Sequence, residues 1–211
     1  QAENSISAMM LNIVLKPKKV CYRNHNIYWH REQDMLKVAT TGNRSTIDSY
    51  ALYYTEDEQN PGYADTVAVL LYAQFDEVKS WQHTHNRSAA PALRDDEYEV
   101  FKQKKSEQIL KAVSERFPDI VQHIASLKMA TPLTFRDYMG TRDGSIYGMQ
   151  TNTHFPEASS LNVKTRIPNL YFTGQNVNLH GVLGVSMTAI LTCAEFLGLG
   201  YILEKINQNR S

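Results

Sequence analysis

A glycine-flanked polar loop near the end of the chain has the residue types of a ligand-binding turn. The loop comprises Gly174, Gln175, Asn176, Val177, Asn178, Leu179, His180 and Gly181. Glycines at such a turn allow close backbone approach and dihedral angles that other residues avoid. A helix that begins near Gly181–Gly184 would add free N–H groups and the positive end of its dipole. The pattern predicts a site for phosphate or for a ligand that becomes anionic, with an unliganded structural helix start as the alternative.

Other chemistry-bearing patterns give weaker signals. His83 and His85 flank Thr84 and would share one face of a strand, so together they could bind a metal ion. The acidic residues near them in the sequence that could serve as further ligands are Asp76 and Glu77, and no Cys, Asp or Glu has a better ligand spacing. We therefore interpret both histidines as surface or hydrogen-bonding groups and predict no metal site. The chain contains no G-x-G-x-x-G fingerprint, no phosphate-binding P-loop and no G-x-S-x-G elbow, so none of these motifs assigns a catalytic residue.

A second unusual segment runs from Thr131 to Gly148. It combines several glycines with an Arg136-Asp137 pair and two tyrosines, Tyr138 and Tyr147, without a clear period. Loops of this aromatic and charged composition often line binding sites, and a plain connecting loop is the alternative.

The elements before that segment indicate an α+β protein. Four strand-like runs are rich in apolar and β-branched residues: 10–15, 26–30, 49–55 and 67–73. The polar spacers between them do not suit crossover helices, so the strands predict an antiparallel or mixed sheet. A helix is predicted from Asp95 to Arg116, followed by a short one over 119–125, and both would cover the sheet.

The last third of the chain predicts a strand followed by a helix. Residues 170–173 form a short apolar run that indicates a buried strand, and the nearly uncharged segment 182–203 suits a long buried helix. A membrane span is the alternative, but Glu195 near its middle and the glycines at both ends disfavour it.

The composition of the chain argues against some classes of protein. The chain has 211 residues with 22 basic and 22 acidic side chains, so it has no bulk positive charge for nucleic acid. Two cysteines cannot build a disulfide framework, and no secretion leader is visible, so we expect a cytoplasmic location. The chain begins with Gln1 rather than methionine, which we interpret as a processed product or a piece of a longer protein.

Three blocks of sequence together resemble a known enzyme family. Residues 130–138, 143–148 and 167–185 are similar to the C-terminal part of the phytoene desaturase, carotenoid isomerase and retinol saturase family, and most similar to its retinol saturase branch. Weaker likeness extends through 26–28, 76–81 and 98–102. Members of this family are FAD-dependent oxidoreductases.

The resemblance implies a fold. Such enzymes build a Rossmann-type FAD domain from both ends of the chain, with a substrate domain in between. Residues 1–165 would be the later part of the substrate domain, and 166–211 the closing β–α piece of an incomplete FAD domain. Because the N-terminal fingerprint is missing, the resemblance implies that these residues alone do not hold FAD tightly and are inactive.

The resemblance also implies site residues. The cofactor-binding set would be Gly174, Gln175, Asn176, His180, Gly181, Val182, Leu183, Gly184 and Val185. Gln175 departs from the pattern, because many related flavoenzymes have an acid there. The helix start at 181–185 would lie beneath the isoalloxazine and His180 near it, whereas Tyr138 and Tyr147 would line a polyene pocket. The resemblance assigns no catalytic residue.

The implied activity is redox chemistry on a conjugated, apolar isoprenoid such as a retinoid or carotenoid. Saturation of one C=C bond is the first choice, with NAD(P)H as a candidate electron donor. Carotenoid desaturation and flavin-assisted cis–trans isomerisation are the alternatives, because the motifs do not set the reaction direction. A non-catalytic domain that binds an apolar ligand is the alternative from another class. An apolar substrate also leaves peripheral membrane association open, and the oligomeric state is unassigned.

Overall fold

A computed structural model describes residues 4–31, 47–86, 94–150, 161–177 and 179–209. The chain divides into two compact units. The sheet unit is Ile6–Gly144, and the helical unit is Gln1–Ser5 with Ser145–Ser211. The assignment of 1–165 to a substrate domain and of 166–211 to an FAD domain stays a prediction.

The described part of the sheet unit contains one five-stranded antiparallel sheet in the order β2-β3-β4-β1-β5. The strands are β1 (Ser7–Leu15), β2 (Ile27–His30), β3 (Ser49–Glu56), β4 (Ala64–Ala73) and β5 (Ile124–Ala130). The predicted α+β class is confirmed, and of the two sheet types expected the antiparallel one is observed. β5 was not predicted: the second helix was expected to run to residue 125, whereas it ends at Gln122.

The core lies on one face of this sheet. Leu11 and Ile13 of β1 are fully buried, whereas Asn12 between them is exposed, as the two-residue period of a strand requires. The buried face packs against Ile109 and Val113. These two residues lie on α1 (Asp96–Ser114), whose N-cap Asp95 accepts a hydrogen bond from the Tyr98 amide. Helix α1 therefore covers the sheet as predicted.

The described residues of the sheet unit also contain two short helices and two 3-10 helices. They are α2 (Pro118–Gln122), α3 (Pro132–Met139) and the 3-10 helices Phe75–Trp81 and Arg142–Gly144. The expectation that the segment after Thr131 is an irregular loop is wrong over α3. Thr131 forms a capping box with Thr134, and Pro132 occupies the first helical position, where its missing N–H costs nothing.

An ion cluster fixes α3 within the sheet unit. The Asp137 carboxylate, 1% exposed, accepts hydrogen bonds from Arg136 at 2.8 Å, from Arg94 and from the Asn86 amide at 2.8 Å. Burial alone would raise the pKa of Asp137, but these hydrogen bonds outweigh burial and lower it. Arg136 also donates to the backbone carbonyls of Gln82 and Thr84. The cluster thus connects α3 to Gln82, Thr84 and Asn86 and to the side chain of Arg94.

The helical unit contains α4 (Gly181–Leu197) and α5 (Leu199–Gln208). The predicted single buried helix over 182–203 is wrong: the chain bends by 120° between the two helices, and Gly198 has a positive φ of 82° that ends α4. Most side chains of both helices are exposed rather than buried. Within the described residues no single helix has the length and apolar character to cross a membrane, and the bent pair meets that criterion only when its helices are counted together.

The predicted buried strand over 170–173 is also wrong. Tyr171 makes one isolated bridge, to Lys164, and both Leu170 and Phe172 are exposed. A buried strand needs a hydrogen-bonded neighbour along its length, and the described residues of the helical unit supply a single bridge. The Rossmann-type piece is therefore not confirmed.

Replacing Gly144 with alanine is expected to destabilise the sheet unit more than the same change at Gly140. Both glycines have positive φ, 65° and 70°, so each variant bears the cost of a left-handed alanine. At Gly144 the new Cβ would also overlap the Pro132 carbonyl, whereas at Gly140 it meets nothing within 4 Å. We expect losses of about 2–4 and about 1 kcal/mol in the free energy of unfolding. Equal losses in chemical denaturation would contradict the overlap.

Candidate functional site

The glycine-flanked loop forms a compact turn ahead of α4. The Val177 amide donates to the Gly174 carbonyl at 3.2 Å, and the Val177 carbonyl accepts from the Leu161 amide at 3.1 Å. Val177 is buried at 3% exposure and anchors the turn. Gly174 has a φ of 92° with nothing within 4 Å of a built Cβ, so open space adjoins its α-carbon. Gln175 is half-buried and Asn176 is exposed in the same turn.

The helix start predicted near Gly181–Gly184 is confirmed at Gly181, and the side chain of its N-cap residue does not cap it. His180 is the N-cap residue in extended conformation, and its side chain makes no capping hydrogen bond. The first amide groups of α4 therefore lack the usual side-chain acceptor, and the positive end of the helix dipole is exposed. Val182 and Leu183 in this first turn are 88% and 78% exposed, and Val185 is 39% exposed. The helix start thus presents N–H donors next to an apolar surface.

Gly184 holds the loop against the helix. It is buried, and a built Cβ would lie 2.6 Å from both the carbonyl carbon and the Cβ of Leu179. The buried Thr188 hydroxyl, one turn later, donates to the Gly184 carbonyl at 3.0 Å. Only glycine lets Leu179 approach the helix this closely, so Gly184 determines where the loop crosses the start of α4.

The structure brings residues of the segment 131–148 into contact with residues of the loop 174–181. The ring of Tyr147 packs on the ring of His180 with a centroid separation of 4.5 Å. Gly148 has a positive φ of 79°, and a built Cβ there would overlap the Asn176 side chain. The segment 145–148 therefore contacts the turn and the N-cap directly. Tyr138 lies in the sheet unit at the end of α3 and is 56% exposed.

A serine pair fixes this segment, and sequence reasoning missed it. The hydroxyls of Ser5 and Ser145 are 2.7 Å apart, and Ser145 also donates to the Gly148 carbonyl at 2.7 Å. The Ser5 amide donates to the same carbonyl at 2.8 Å, and its hydroxyl accepts from the Tyr147 amide at 3.2 Å. Ser5 and Ser145 are separated by 140 positions, and no motif connects them.

Removing the Ser145 hydroxyl is expected to loosen the segment that carries Tyr147. Ser145 is 1% exposed, and Ser145→Ala removes its hydrogen bonds to the Ser5 hydroxyl and to the Gly148 carbonyl, which keeps the Ser5 amide as a donor, at a cost of about 1–3 kcal/mol for the two bonds. Amide hydrogen exchange over 146–150 should become about tenfold faster or more. Ser186→Ala is the matched control, since that exposed hydroxyl donates only within α4. Unchanged exchange in the Ser145 variant would show that the serine pair does not hold the segment.

His83 and His85 are the remaining residues that the sequence singled out. Among the described residues no group of three or more His, Cys, Asp or Glu side chains could hold a metal ion. His85 has its Nδ1 3.6 Å from an Asp137 oxygen, and both His83 and His85 are exposed. This position agrees with the interpretation of both as surface or hydrogen-bonding groups.

Comparison with known proteins finds relatives for about two thirds of the chain. It is 30% identical over 146 residues to an all-trans-retinol 13,14-reductase from Danio rerio, a match that covers 68% of this chain and 23% of the relative. The reductases of the same name from Rattus norvegicus and Homo sapiens are 28% and 27% identical over 135 and 146 residues. These matches cover 63% and 68% of this chain and 21% and 23% of the relatives. No protein-family model matches the chain.

The matches confirm a partial relationship to the retinol saturase branch, which the sequence blocks predicted. The chain spans about a quarter of the length of these curated relatives.

Proposed function

We propose that this chain is part of an FAD-dependent oxidoreductase that saturates one C=C bond of a retinol-like isoprenoid alcohol. The observation that supports the proposal best is the start of α4, where N–H groups that the His180 side chain does not cap adjoin the exposed Val182 and Leu183. A planar heterocycle that is uncharged when oxidised, has an apolar end and gains negative charge on reduction suits such a surface. The relationship to all-trans-retinol 13,14-reductases supplies the reaction class.

The residues of the loop fit a flavin ring. Gly174 and Gly181 have positive φ and nothing within 4 Å of a built Cβ, so a ring can approach the backbone at both positions. When bound, the flavin would supply the hydride for the double bond, and the proton would come from a separate donor. Among this chain's own residues, the amides at 181–183 would favour negative charge near the ring. Gln175 and Asn176 would provide side-chain amide groups in place of an acid.

Tyr147 and Tyr138 have different roles in this proposal. Tyr147, held by the serine pair and packed on His180, would exclude water from one side of the ring. Tyr138 stays a proposed pocket residue of the sheet unit. NAD(P)H is the proposed source of electrons.

Incubation of the native gene product with all-trans-retinol and a reductant tests the reaction. We expect a visible flavin spectrum from the purified protein and a product heavier than retinol by two hydrogen atoms in mass spectrometry. A product lighter by two hydrogens would replace saturation with desaturation, and an isomer of unchanged mass would replace it with isomerisation. A folded protein without flavin would reject the enzyme and favour a non-catalytic binding domain.

A further inference from the structure

β5 is an edge strand of the five-stranded sheet. In the described part of the chain it pairs with β1 on one side and with no strand on the other. Alternate N–H and C=O groups along its outer side therefore have no strand partner there. From Ser126 to Ala130 the register with β1 is regular and the sequence contains no proline, so a further strand can pair along this stretch.

A groove of about 600 Å³ lies between β5 and α1, and all of its lining residues belong to these two elements. Its strand side includes Leu127 and Met129, and its helix side includes Val100 and Leu110. Val100 is 48% exposed although it lies on the helix that covers the core. A strand placed about 4.8 Å beyond β5 would direct alternate side chains to the same face as Leu127 and Met129. Apolar side chains on such a strand would fill the groove.

The helix side of the groove is acidic. Its carboxylates are those of Asp96, Glu99 and Glu107, and Lys102 forms an ion pair with Glu99 at 3.0 Å. Glu107 accepts a hydrogen bond from Gln103 at 3.0 Å. Among the ion pairs of the described residues, none includes Asp96 or Glu107. Two carboxylates without a cation favour an occupant that brings a basic side chain.

Lys128 also lines the groove but does not neutralise its helix side. It alternates with Leu127 and Met129 along β5, so its side chain points to the opposite face of the sheet from theirs. The apolar and acidic character of the groove is therefore unbalanced by the strand that borders it.

We propose that a β-strand from the part of the longer protein outside residues 1–211 pairs with β5 and fills this groove. The strand would carry apolar residues at alternate positions and a lysine that faces Asp96 or Glu107. The inference rests on the proposed function in one respect, namely that this chain is part of a longer protein. The chain spans about a quarter of the length of its curated relatives, so a protein of their length has ample sequence for such a strand.

Hydrogen exchange of the native gene product tests the pairing. A strand on each side of β5 would engage consecutive amides, so those over 126–130 should be protected as well as the amides of the central strands β1 and β4. With an open edge, alternate amides of β5 would exchange at least about tenfold faster than the amides between them. That alternation in the native gene product would overturn the proposal.

A charge placed in the groove should displace the strand. Val100→Arg adds a longer side chain and repels the proposed lysine, so alternate amides over 126–130 are expected to exchange about tenfold faster than in the wild type. Gln108→Arg is the matched control, because Gln108 is exposed on α1 and lies outside the groove. Equal exchange over 126–130 in the two variants would contradict the position of the strand.

Carbodiimide cross-linking identifies the strand and its source. The reagent joins a carboxylate to a lysine amine as an amide with loss of water, and peptide mass spectrometry locates both partners. We expect Asp96 or Glu107 to be joined to a lysine of the same polypeptide outside residues 1–211. A cross-link to a second copy, which an isotopically labelled mixture reveals, or to another protein would overturn the assigned source. Absence of a cross-link at both carboxylates would overturn the proposed lysine.

This inference and the proposed function fail separately, because neither exchange nor cross-linking requires flavin or substrate. A native gene product with full protection along β5 but without flavin or product fails the proposed function and keeps the added strand. A protein that contains flavin and reduces retinol, but leaves alternate amides of β5 open, does the reverse.

Discussion

Asp137→Ala is expected to lower the free energy of unfolding of the sheet unit by about 3–5 kcal/mol. The carboxylate is 1% exposed, and its removal leaves Arg94 and Arg136, 7% and 13% exposed, without their acidic partner. The Asn86 amide also loses its acceptor. An uncompensated buried charge costs more than the pair itself contributes, which is why the expected loss is large. Chemical denaturation monitored by tryptophan fluorescence measures it.

The matched control is a surface ion pair in the same unit. Arg31 and Asp48 are 3.2 Å apart, with side chains 49% and 32% exposed. Asp48→Ala should therefore change the free energy of unfolding by only about 0–1 kcal/mol. If both variants lose the same small amount, the cluster around Asp137 does not stabilise the unit in the way its burial indicates.

The effect of Asp137→Ala should depend on pH. The hydrogen bonds hold the folded-state pKa of Asp137 below its unfolded value of about 3.9, although burial opposes them. A carboxyl with a lowered folded-state pKa contributes stability that is complete above the unfolded pKa and is lost as pH falls through the folded-state pKa. The difference between wild-type and variant should be constant near neutrality and shrink below about pH 4. A difference that grows on acidification would contradict the lowered pKa.

Gly184→Leu is expected to abolish flavin binding by the native gene product while α4 remains folded. A side chain at this position would collide with the Leu179 backbone, so the loop must leave its place over the helix start. The loop positions Gly174 and Gly181, and a displacement of about 1 Å is enough to spoil a binding geometry. Flavin absorbance after gel filtration measures the loss, and far-ultraviolet circular dichroism reports the helix.

Gly200→Leu is the control for this change. Gly200 lies in α5 with ordinary helical φ and nothing within 4 Å of a built Cβ, so leucine is accommodated there. The control should retain its flavin and gain up to about 1 kcal/mol of helix propensity. A Gly184 variant that retains its flavin would show that the turn over α4 is not part of the cofactor site.

Most of the sheet unit was predictable because its strands have clear signals in the local sequence. The apolar runs of β1 and β4 are long and bounded by polar turns, and the acids at the start of α1 mark its N-terminus. β5 escaped prediction because Ser126 and Lys128 interrupt its apolar pattern. It is a strand because β1 offers it hydrogen-bonding partners, and a single sequence does not reveal such a distant neighbour.

The helical unit was predicted less well for a similar reason. The apolar composition of 182–203 is typical of a buried helix, but in this chain the backbone at Gly198 ends α4 and many apolar side chains remain exposed. The helix start at Gly181 was predicted correctly because loop and glycine signals are local. The contact of Tyr147 with His180 was not predictable, since it depends on a fold that brings distant segments together.

Hydrogen exchange of the native gene product with and without added FAD tests the central proposal most directly. The claim is that the turn 174–177 and the first turn of α4 lie against the flavin ring. Amides over 174–184 are expected to exchange at least about tenfold more slowly in the flavin-bound protein, whereas those of α5 should be unchanged. A protein that binds FAD with no added protection over 174–184 would contradict the account.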